Sequence, residues 1–451
     1  MKEKFLFSNN KKIHFIGVGG ISMSGLAVYL KEHGFTVSGS DANFSPKLTQ
    51  LENLGIKVFY NHSARLVEGV DVVVYNSAIS LDNPELLEAK QRDIPLIKRS
   101  ELLGEILSQY KKSIAVSGSH GKTTATAMIA QVFICADMNP TVFLGGESGA
   151  FGNYRSGGNK IAIAEACEYK RNFLDLTPSV AVVLNIDKDH MDSYKDMNDL
   201  TDAFCTFTKG RLAVVNADDV YAKNIENQSI ITYAVNSNAT FTATKIKYNG
   251  KGYSFTVNAF GRAIGRINLS VIGRHNIYNA LASIVVCDLF GISFKKIKKG
   301  LESFPGVKRR SEYLGEYLGK SCYGDYAHHP AEISATLGAF DDSGKDYAVV
   351  FQPHTYTRTE KLMEDFILSL SKCKNLIIYK TFPAREKYYF EGSESALFEN
   401  LKTVNKGAKL AMDESQLTQL LGDFDEKIRR IIFMGAGDIY EIASDIISYT
   451  K

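Results

Sequence analysis

Apolar positions along this chain come mostly in short continuous runs rather than long alternating ones. The runs are separated by stretches with helical spacing and by glycine turns. The first run, Ile13–Val18, leads into the turn Gly17-Val18-Gly19-Gly20-Ile21-Ser22. A helix is predicted from there to about Lys31, with Gly34 ending it, and Thr36–Asp41 is a second strand closing on an acid. Further strands are predicted at 71–75 and 94–97. A second block opens with Ile114-Ala115-Val116, and apolar runs recur at 160–164, 180–184 and 212–215. Continuous β-rich runs of this length suit strands buried on both faces of a parallel sheet. Between about 240 and 272 the pattern changes to alternation around Asn249-Gly250, which signals an antiparallel hairpin. A helix is predicted from His275 to about Leu289. A third block has strands at 321–326, 347–351, 375–379 and 430–434, the last running into Gly435-Ala436-Gly437-Asp438. The fold class expected is α/β with three domains. These are a Rossmann-like domain over 1–108, a central sheet of the phosphate-loop type with a small antiparallel sheet over 109–310, and a second Rossmann-like domain over 311–451.

Candidate chemistry is densest at Ser117–Thr124. A strand, then Gly118-Ser119-His120-Gly121-Lys122-Thr123-Thr124, then a helix is the layout of a nucleoside-triphosphate phosphate loop. Gly118 and Gly121 let backbone N–H groups approach phosphate oxygens, Lys122 brings a point charge, and the Thr123 hydroxyl can ligate Mg²⁺. Val116 stands where the longer loop has a glycine, so this is the shorter form, with a histidine inside it. Glu165 and His190 follow two predicted parallel strands. Residues beyond the carboxyl ends of such strands line the ligand crevice, where the phosphate loop also lies. Both therefore read as metal-serving groups, against the plainer reading of two satisfied surface residues. The turn at Gly17, Gly19, Gly20, Ile21 and Ser22, with Asp41 at the next strand end, resembles a dinucleotide fingerprint, but Ser22 replaces its last glycine. It suits the diphosphate of NAD or of a UDP-sugar equally. Lys308-Arg309-Arg310 is a solvated linker or a source of charge for a γ-phosphate. The Gly435 turn faces a phosphate or nothing.

Bulk properties narrow the classes. The chain has 451 residues, 45% hydrophobic and 23% charged, with a formal net charge of +3. That is the make-up of a globular protein with several domains, and it favours neither nucleic acid nor a membrane surface as partner. The six cysteines are scattered with no C-x-x-C pair, so a zinc knuckle or disulfide frame is not suggested and a cytoplasmic setting is expected. The first residues lack the apolar core of a signal peptide, and no window approaches a membrane span.

Taken in order, Gly17–Gly20, Gly118–Thr124, Asn185-Ile186-Asp187-Lys188-Asp189-His190-Met191-Asp192, His275-Asn276, Arg309-Arg310, Asp325-Tyr326-Ala327-His328-His329-Pro330 and Gly435–Asp438 resemble the Mur ligases, the ATP-dependent amide-bond ligases of peptidoglycan precursor synthesis. Within that family, 325–330 with Phe351–Thr359 is most similar to the branch that joins L-alanine to UDP-N-acetylmuramate.

The resemblance implies ATP and Mg²⁺, a UDP-sugar over the first block, and an acyl phosphate that the amine of L-alanine displaces. A monomer or homodimer is expected. The resemblance assigns Lys122, Glu165 and His190 to catalysis, and Thr123, Glu165 and His190 to metal. ATP falls to Gly118–Thr124, His275, Asn276, Arg310 and Asp325. The UDP-sugar falls to Gly17, Gly19, Gly20, Ile21, Ser22, Asp41, Ser77 and Ala78, and the amino-acid side to His354, Arg358 and Arg385. The chain departs from the family's usual Glu-Ala-Asp-Glu-Ser-Asp by carrying Cys167, Tyr169 and Lys170. Ser119 stands for a threonine, and Ser311 for the aromatic that often follows the arginine pair. The alternatives are a relative that joins another amino acid or a peptide, a non-catalytic nucleotide-binding regulator, and an NAD-dependent oxidoreductase.

Overall fold

The computed structural model describes residues 11–188, 191, 193–341, 344, 346–384 and 386–448. Three sheets follow one another along the chain. The first comprises β1 Lys12–Ile16, β2 Thr36–Ser40, β3 Lys57–Phe59, β4 Val72–Tyr75 and β5 Leu96–Lys98, in the order β3-β2-β1-β4-β5 with every pairing parallel. The order reverses between β1 and β4, so the turns after these two strands flank a crevice at the sheet's carboxyl edge.

The central sheet contains β6 Lys112–Ser117, β7 Thr141–Ser148, β8 Gly152–Arg155, β9 Ile161–Glu165, β10 Val180–Val183, β11 Leu212–Asn216, β12 Ile230–Ala234, β13 Phe241–Tyr248, β14 Tyr253–Ala259 and β15 Arg262–Asn268. Its order is β15-β14-β13-β12-β11-β10-β6-β9-β7-β8. The middle is parallel, as the valine- and isoleucine-rich runs require, and β6 lies between β10 and β9. The predicted antiparallel segment is present, but it extends one edge of this sheet rather than forming a sheet of its own. A two-residue parallel ladder, Tyr233–Ala234 on Phe241–Thr242, makes the join.

The third sheet holds β16 Glu312–Tyr317, β17 Lys320–Asp325, β18 Tyr347–Phe351, β19 Leu376–Tyr379, β20 Lys409–Ala411 and β21 Arg430–Met434, ordered β16-β17-β21-β18-β19-β20. It is parallel except for the β16–β17 hairpin. Apolar clusters cover both of its faces.

These three sheets pack as two compact units. One runs to Lys247 and takes in Ser254–Leu269 and Asn276–Pro305; the other holds Tyr248–Tyr253, Ser270–His275 and the chain from Gly306. The first two sheets share a unit because one apolar cluster runs through both. Tyr29 on the helix Ile21–Glu32 meets Phe143 of β7 at 5.5 Å and Tyr154 of β8 at 6.3 Å between ring centroids. Polar ties reinforce the seam: Asn153 Nδ2 donates to the Ile21 carbonyl at 2.6 Å, and Lys47 pairs with Glu147 at 2.6 Å.

Candidate functional site

The phosphate loop emerges from β6, whose neighbours bring two other strand ends beside it. The helix Lys122–Cys135 begins directly after it, with Gly121 as its N-cap at φ 83°. That left-handed conformation is open to glycine without cost. A Cβ there would lie 2.7 Å from Asn279 Oδ1, so glycine is required on two counts. Gly118 is also left-handed in φ, at 145°. The loop is braced from the β10 side. His120 N donates to Asn185 Oδ1 at 2.8 Å, Asn185 Nδ2 donates to the His120 carbonyl at 3.0 Å, and Asp187 N donates to Ser119 Oγ at 2.8 Å.

Lys122 turns back on its own loop. Its ammonium donates to the Gly118 and Ser119 carbonyls at 2.5 and 3.1 Å and to Glu168 Oε1 at 2.9 Å. Its side chain is 16% exposed and that of Glu168 is 1% exposed. Burial alone pulls such an ammonium down, but the charge and hydrogen bond of Glu168, with Cys167 and Glu165 nearby, together outweigh it and Lys122 stands above its ordinary value. Thr123 Oγ1 donates to Glu165 Oε2 at 3.0 Å, and Gly145 N donates to Glu165 Oε1 at 2.5 Å. Glu165 is the last residue of β9 rather than the first beyond it. A hydroxyl and a carboxylate side by side are hard oxygen donors of the type Mg²⁺ takes, usually together with substrate phosphates. No group of three His, Cys, Asp or Glu side chains suited to a metal occurs among the described residues. His190 lies outside the described residues.

The glycine turn of the first sheet is held by β2. The Ser40 carbonyl accepts from Gly17 N at 2.8 Å and Val18 N at 3.0 Å, and Asp41 Oδ2 accepts from Gly19 N at 3.0 Å. Ile21 and Ser22 open the following helix. Ser77 and Ala78 follow β4 across the crevice. A Cβ on Gly17 would touch Ile79 Cδ1 at 3.2 Å and Asn76 Nδ2 at 3.7 Å, so the two turns are in contact. Behind them lies a buried network that the sequence reading missed. Glu85, fully buried, takes His14 Nε2 at 2.7 Å, His62 Nδ1 at 2.7 Å and the Ser40 hydroxyl at 2.8 Å.

Asn276 is joined to the phosphate loop through Asn279, whose Nδ2 donates to Asn276 Oδ1 at 2.9 Å. His275, the first residue of the same helix, belongs to the other compact unit. In that unit Asp325 ends β17, buried, and accepts from Ser311 N at 2.7 Å, Ala327 N at 2.9 Å and Thr336 Oγ1 at 3.2 Å. Burial raises its carboxyl above the ordinary value. Arg310 lies 3.9 Å from Glu332 and 5.8 Å from the Tyr326 ring centroid.

His354 and Arg358 are brought together, Nδ1 to Nη1 at 3.3 Å, with His354 stacked on Phe382 and edge-on to His328. Burial, with Arg358 and His328 beside it, lowers His354 to about 4, so its ring is neutral at pH 7. Arg385 lies outside the described residues. The Gly435–Asp438 turn is filled from within. Gln352 Nε2 donates to Asp438 Oδ1 at 2.6 Å and its Oε1 accepts from Ile439 N at 3.1 Å, which occupies the helix start that a phosphate would need.

The chain matches the model of the Mur ligase family catalytic domain over residues 12–111 and that of the Mur ligase middle domain over 116–287. It is 44% identical over 443 residues to a UDP-N-acetylmuramate–L-alanine ligase of Acetivibrio thermocellus, covering 96% of this chain and 94% of that one. Its identity to the enzyme of that name from Aquifex aeolicus is 40%, covering 95% of each. Among solved structures it resembles the UDP-N-acetylmuramate–alanine ligase of Thermotoga maritima, with a TM-score of 0.84, 27% identity and coverage of 98% and 99%. A murein peptide ligase from Psychrobacter arcticus shares the fold at a TM-score of 0.71 and 22% identity, covering 97% and 98%. With the shortened phosphate loop, the Thr123–Glu165 pair behind it and relatives matched along almost their whole length, the chain belongs to the Mur ligase family.

Proposed function

We propose that this chain joins L-alanine to the carboxylate of UDP-N-acetylmuramate at the expense of ATP, as a step of peptidoglycan precursor synthesis. The observation that carries this reading is the Lys122–Glu168 and Thr123–Glu165 pairing inside a phosphate loop. The curated relatives' activity along the full chain supports it. The division of labour follows the blocks. Residues 1–108 take the UDP-sugar on Gly17–Ser22, Asp41, Ser77 and Ala78. Residues 109–310 take ATP on Gly118–Thr124 and Asn276. Residues 311–451 supply Asp325, His354, Arg358 and Arg385. Arg310 and His275 are assigned to ATP.

Transfer of the γ-phosphoryl group to the sugar's carboxylate gives an acyl phosphate, which the alanine amine displaces. Positioning and charge neutralisation dominate such a transfer. Lys122 holds a positive charge at the loop, and Gly118 and Gly121 let backbone N–H groups face the phosphate. Mg²⁺, when bound, would neutralise phosphate charge, with Thr123, Glu165 and His190 as its protein ligands. We place the protein in the cytoplasm as a monomer or homodimer; no helix among the described residues is long and apolar enough to cross a membrane.

The test is phosphate release with UDP-N-acetylmuramate across L-alanine, glycine, L-serine and a tripeptide. L-Alanine should be preferred, and Lys122→Ala should lose about 10²- to 10³-fold in rate. Full rate in that variant would sink the ATP-site assignment. Preference for the tripeptide would move the chain to a peptide-joining role, and absence of amide with every amine would make it a nucleotide-binding regulator.

A further inference from the structure

Two consecutive non-glycine residues, Lys170 and Arg171, are left-handed, with φ 48° and 59°. Such a pair is costly for L-residues and persists only where its surroundings hold it. Here they do, on both sides. Arg171 pairs with Asp199 at 2.6 Å and lies 4.9 Å over the Tyr194 ring, while the Tyr194 hydroxyl donates to the Glu168 carbonyl. Glu168 is itself fixed to Lys122.

The kink turns the exposed Lys170 side chain toward the first sheet, where its ammonium donates to the Ser77 carbonyl at 3.2 Å. No carboxylate among the described residues pairs with it. Ser77 belongs to the turn whose Asn76 and Ile79 lie against Gly17. Contacts lead from the glycine turn to Ser77 and Lys170, and the kinked chain then continues to Glu168, whose carbonyl accepts from Arg171 N at 2.9 Å and whose carboxylate holds Lys122. With the sugar's diphosphate at one end and the γ-phosphate at the other, the reacting carboxylate has to sit between them. Two anions must meet there, and a cation at that place lowers their repulsion.

We propose that Lys170 binds the carboxylate of the sugar nucleotide and holds it against the γ-phosphate. This rests on the function proposed above. The assignment makes Lys170 a catalytic residue that acts on one ligand group only, so its loss can be read in binding as well as in turnover.

The experiment is calorimetric titration of the full chain with two probes, UDP-N-acetylmuramate and UDP-N-acetylglucosamine, the second lacking the carboxylate. Lys170→Ala and Lys170→Gly should each weaken the first probe about tenfold or more, the scale of one charge-assisted hydrogen bond, and the second less than twofold. Lys170→Arg should restore most of the loss. Glycine accepts the left-handed backbone, so wild-type affinity in Lys170→Gly alone would trace the effect to the backbone and overturn the assignment. Equal weakening of both probes would place Lys170 on the diphosphate and overturn it too, as would no weakening of either. A wild type that binds neither probe would defeat the sugar-nucleotide reading itself, whereas a wild type that binds both with variants that do not discriminate defeats only the role of Lys170.

Discussion

Glu168→Ala removes the carboxylate that Lys122 holds at 2.9 Å from a nearly closed site. Deleting one partner of a buried ion pair costs about 3–5 kcal/mol, because the remaining charge is left desolvated. Two features move this case to the low end. Lys122 keeps the Gly118 and Ser119 carbonyls, and 16% of its side chain meets water. A loss of about 3 kcal/mol is expected, read by urea denaturation of the nucleotide-free protein. ATP should then repay the variant more than the wild type. Its γ-phosphate offers Lys122 a new anion, whereas in the wild type it must compete with Glu168. At one ATP concentration well above both dissociation constants the two proteins gain unequally, by about 1.4 kcal/mol for each tenfold by which the variant binds ATP more tightly, so the gap between them should narrow measurably. Equal stability without nucleotide would refute the buried-pair argument. A gap unchanged by ATP would refute the claim that Lys122 is the group that meets the phosphate.

Other outcomes follow from single contacts. Gly121→Ala must adopt a left-handed backbone and meet Asn279 at 2.7 Å; it should lose about 1–2 kcal/mol from the backbone alone and raise the KM for ATP more than that for the sugar nucleotide. Glu85→Gln should cost about 1–3 kcal/mol at pH 7, since His14, His62 and Ser40 converge on that carboxylate. Burial pushes Glu85 up, but hydrogen bonds from His14, His62 and Ser40 and the charge of His14 outweigh it and hold its carboxyl below the ordinary value. Its contribution is therefore present above the unfolded-chain value of about 4.3 and fades as pH falls through the lower folded value; the variant should show a flatter acid limb in a stability–pH series, and an unchanged limb would count against the network. His354, neutral above about 4, should contribute no limb to the pH–rate profile between 5 and 8, and a His354→Gln variant should keep the wild-type profile shape whatever its rate.

What could be read from the residues was what local sequence controls. The phosphate loop was legible because a buried strand, two glycines, Lys-Thr and a helix lie within one short segment. The helix His275–Leu289 lies where its spacing placed it. Strands β7 and β8 were not legible, because Gly145-Gly146-Glu147-Ser148-Gly149-Ala150-Phe151-Gly152 has the composition of a loop. Their pairing depends on neighbours elsewhere, among them Glu165, which takes Gly145 N. Glu168 carries no signal of its own in the sequence. Its role comes from a partner 46 residues away in sequence, and the His14–Glu85 contact spans 71. Neither separation leaves a periodic trace. The Gly435 turn shows the converse, for its glycine pattern was visible but Gln352, which fills it, was not.

The aromatic seam of Tyr29, Phe143 and Tyr154 has a consequence for how such chains can be recombined. The helix that follows the Gly17–Gly20 turn is also a wall of the central sheet's core, and Asn153 grips its first carbonyl. A chimera taking its first hundred residues from a distant relative would inherit a mismatched wall and lose stability through the shared core. A junction after Pro305 spares this seam, although the second compact unit also takes in Tyr248–Tyr253 and Ser270–His275 from before it, so an exchanged third block has to match those two segments.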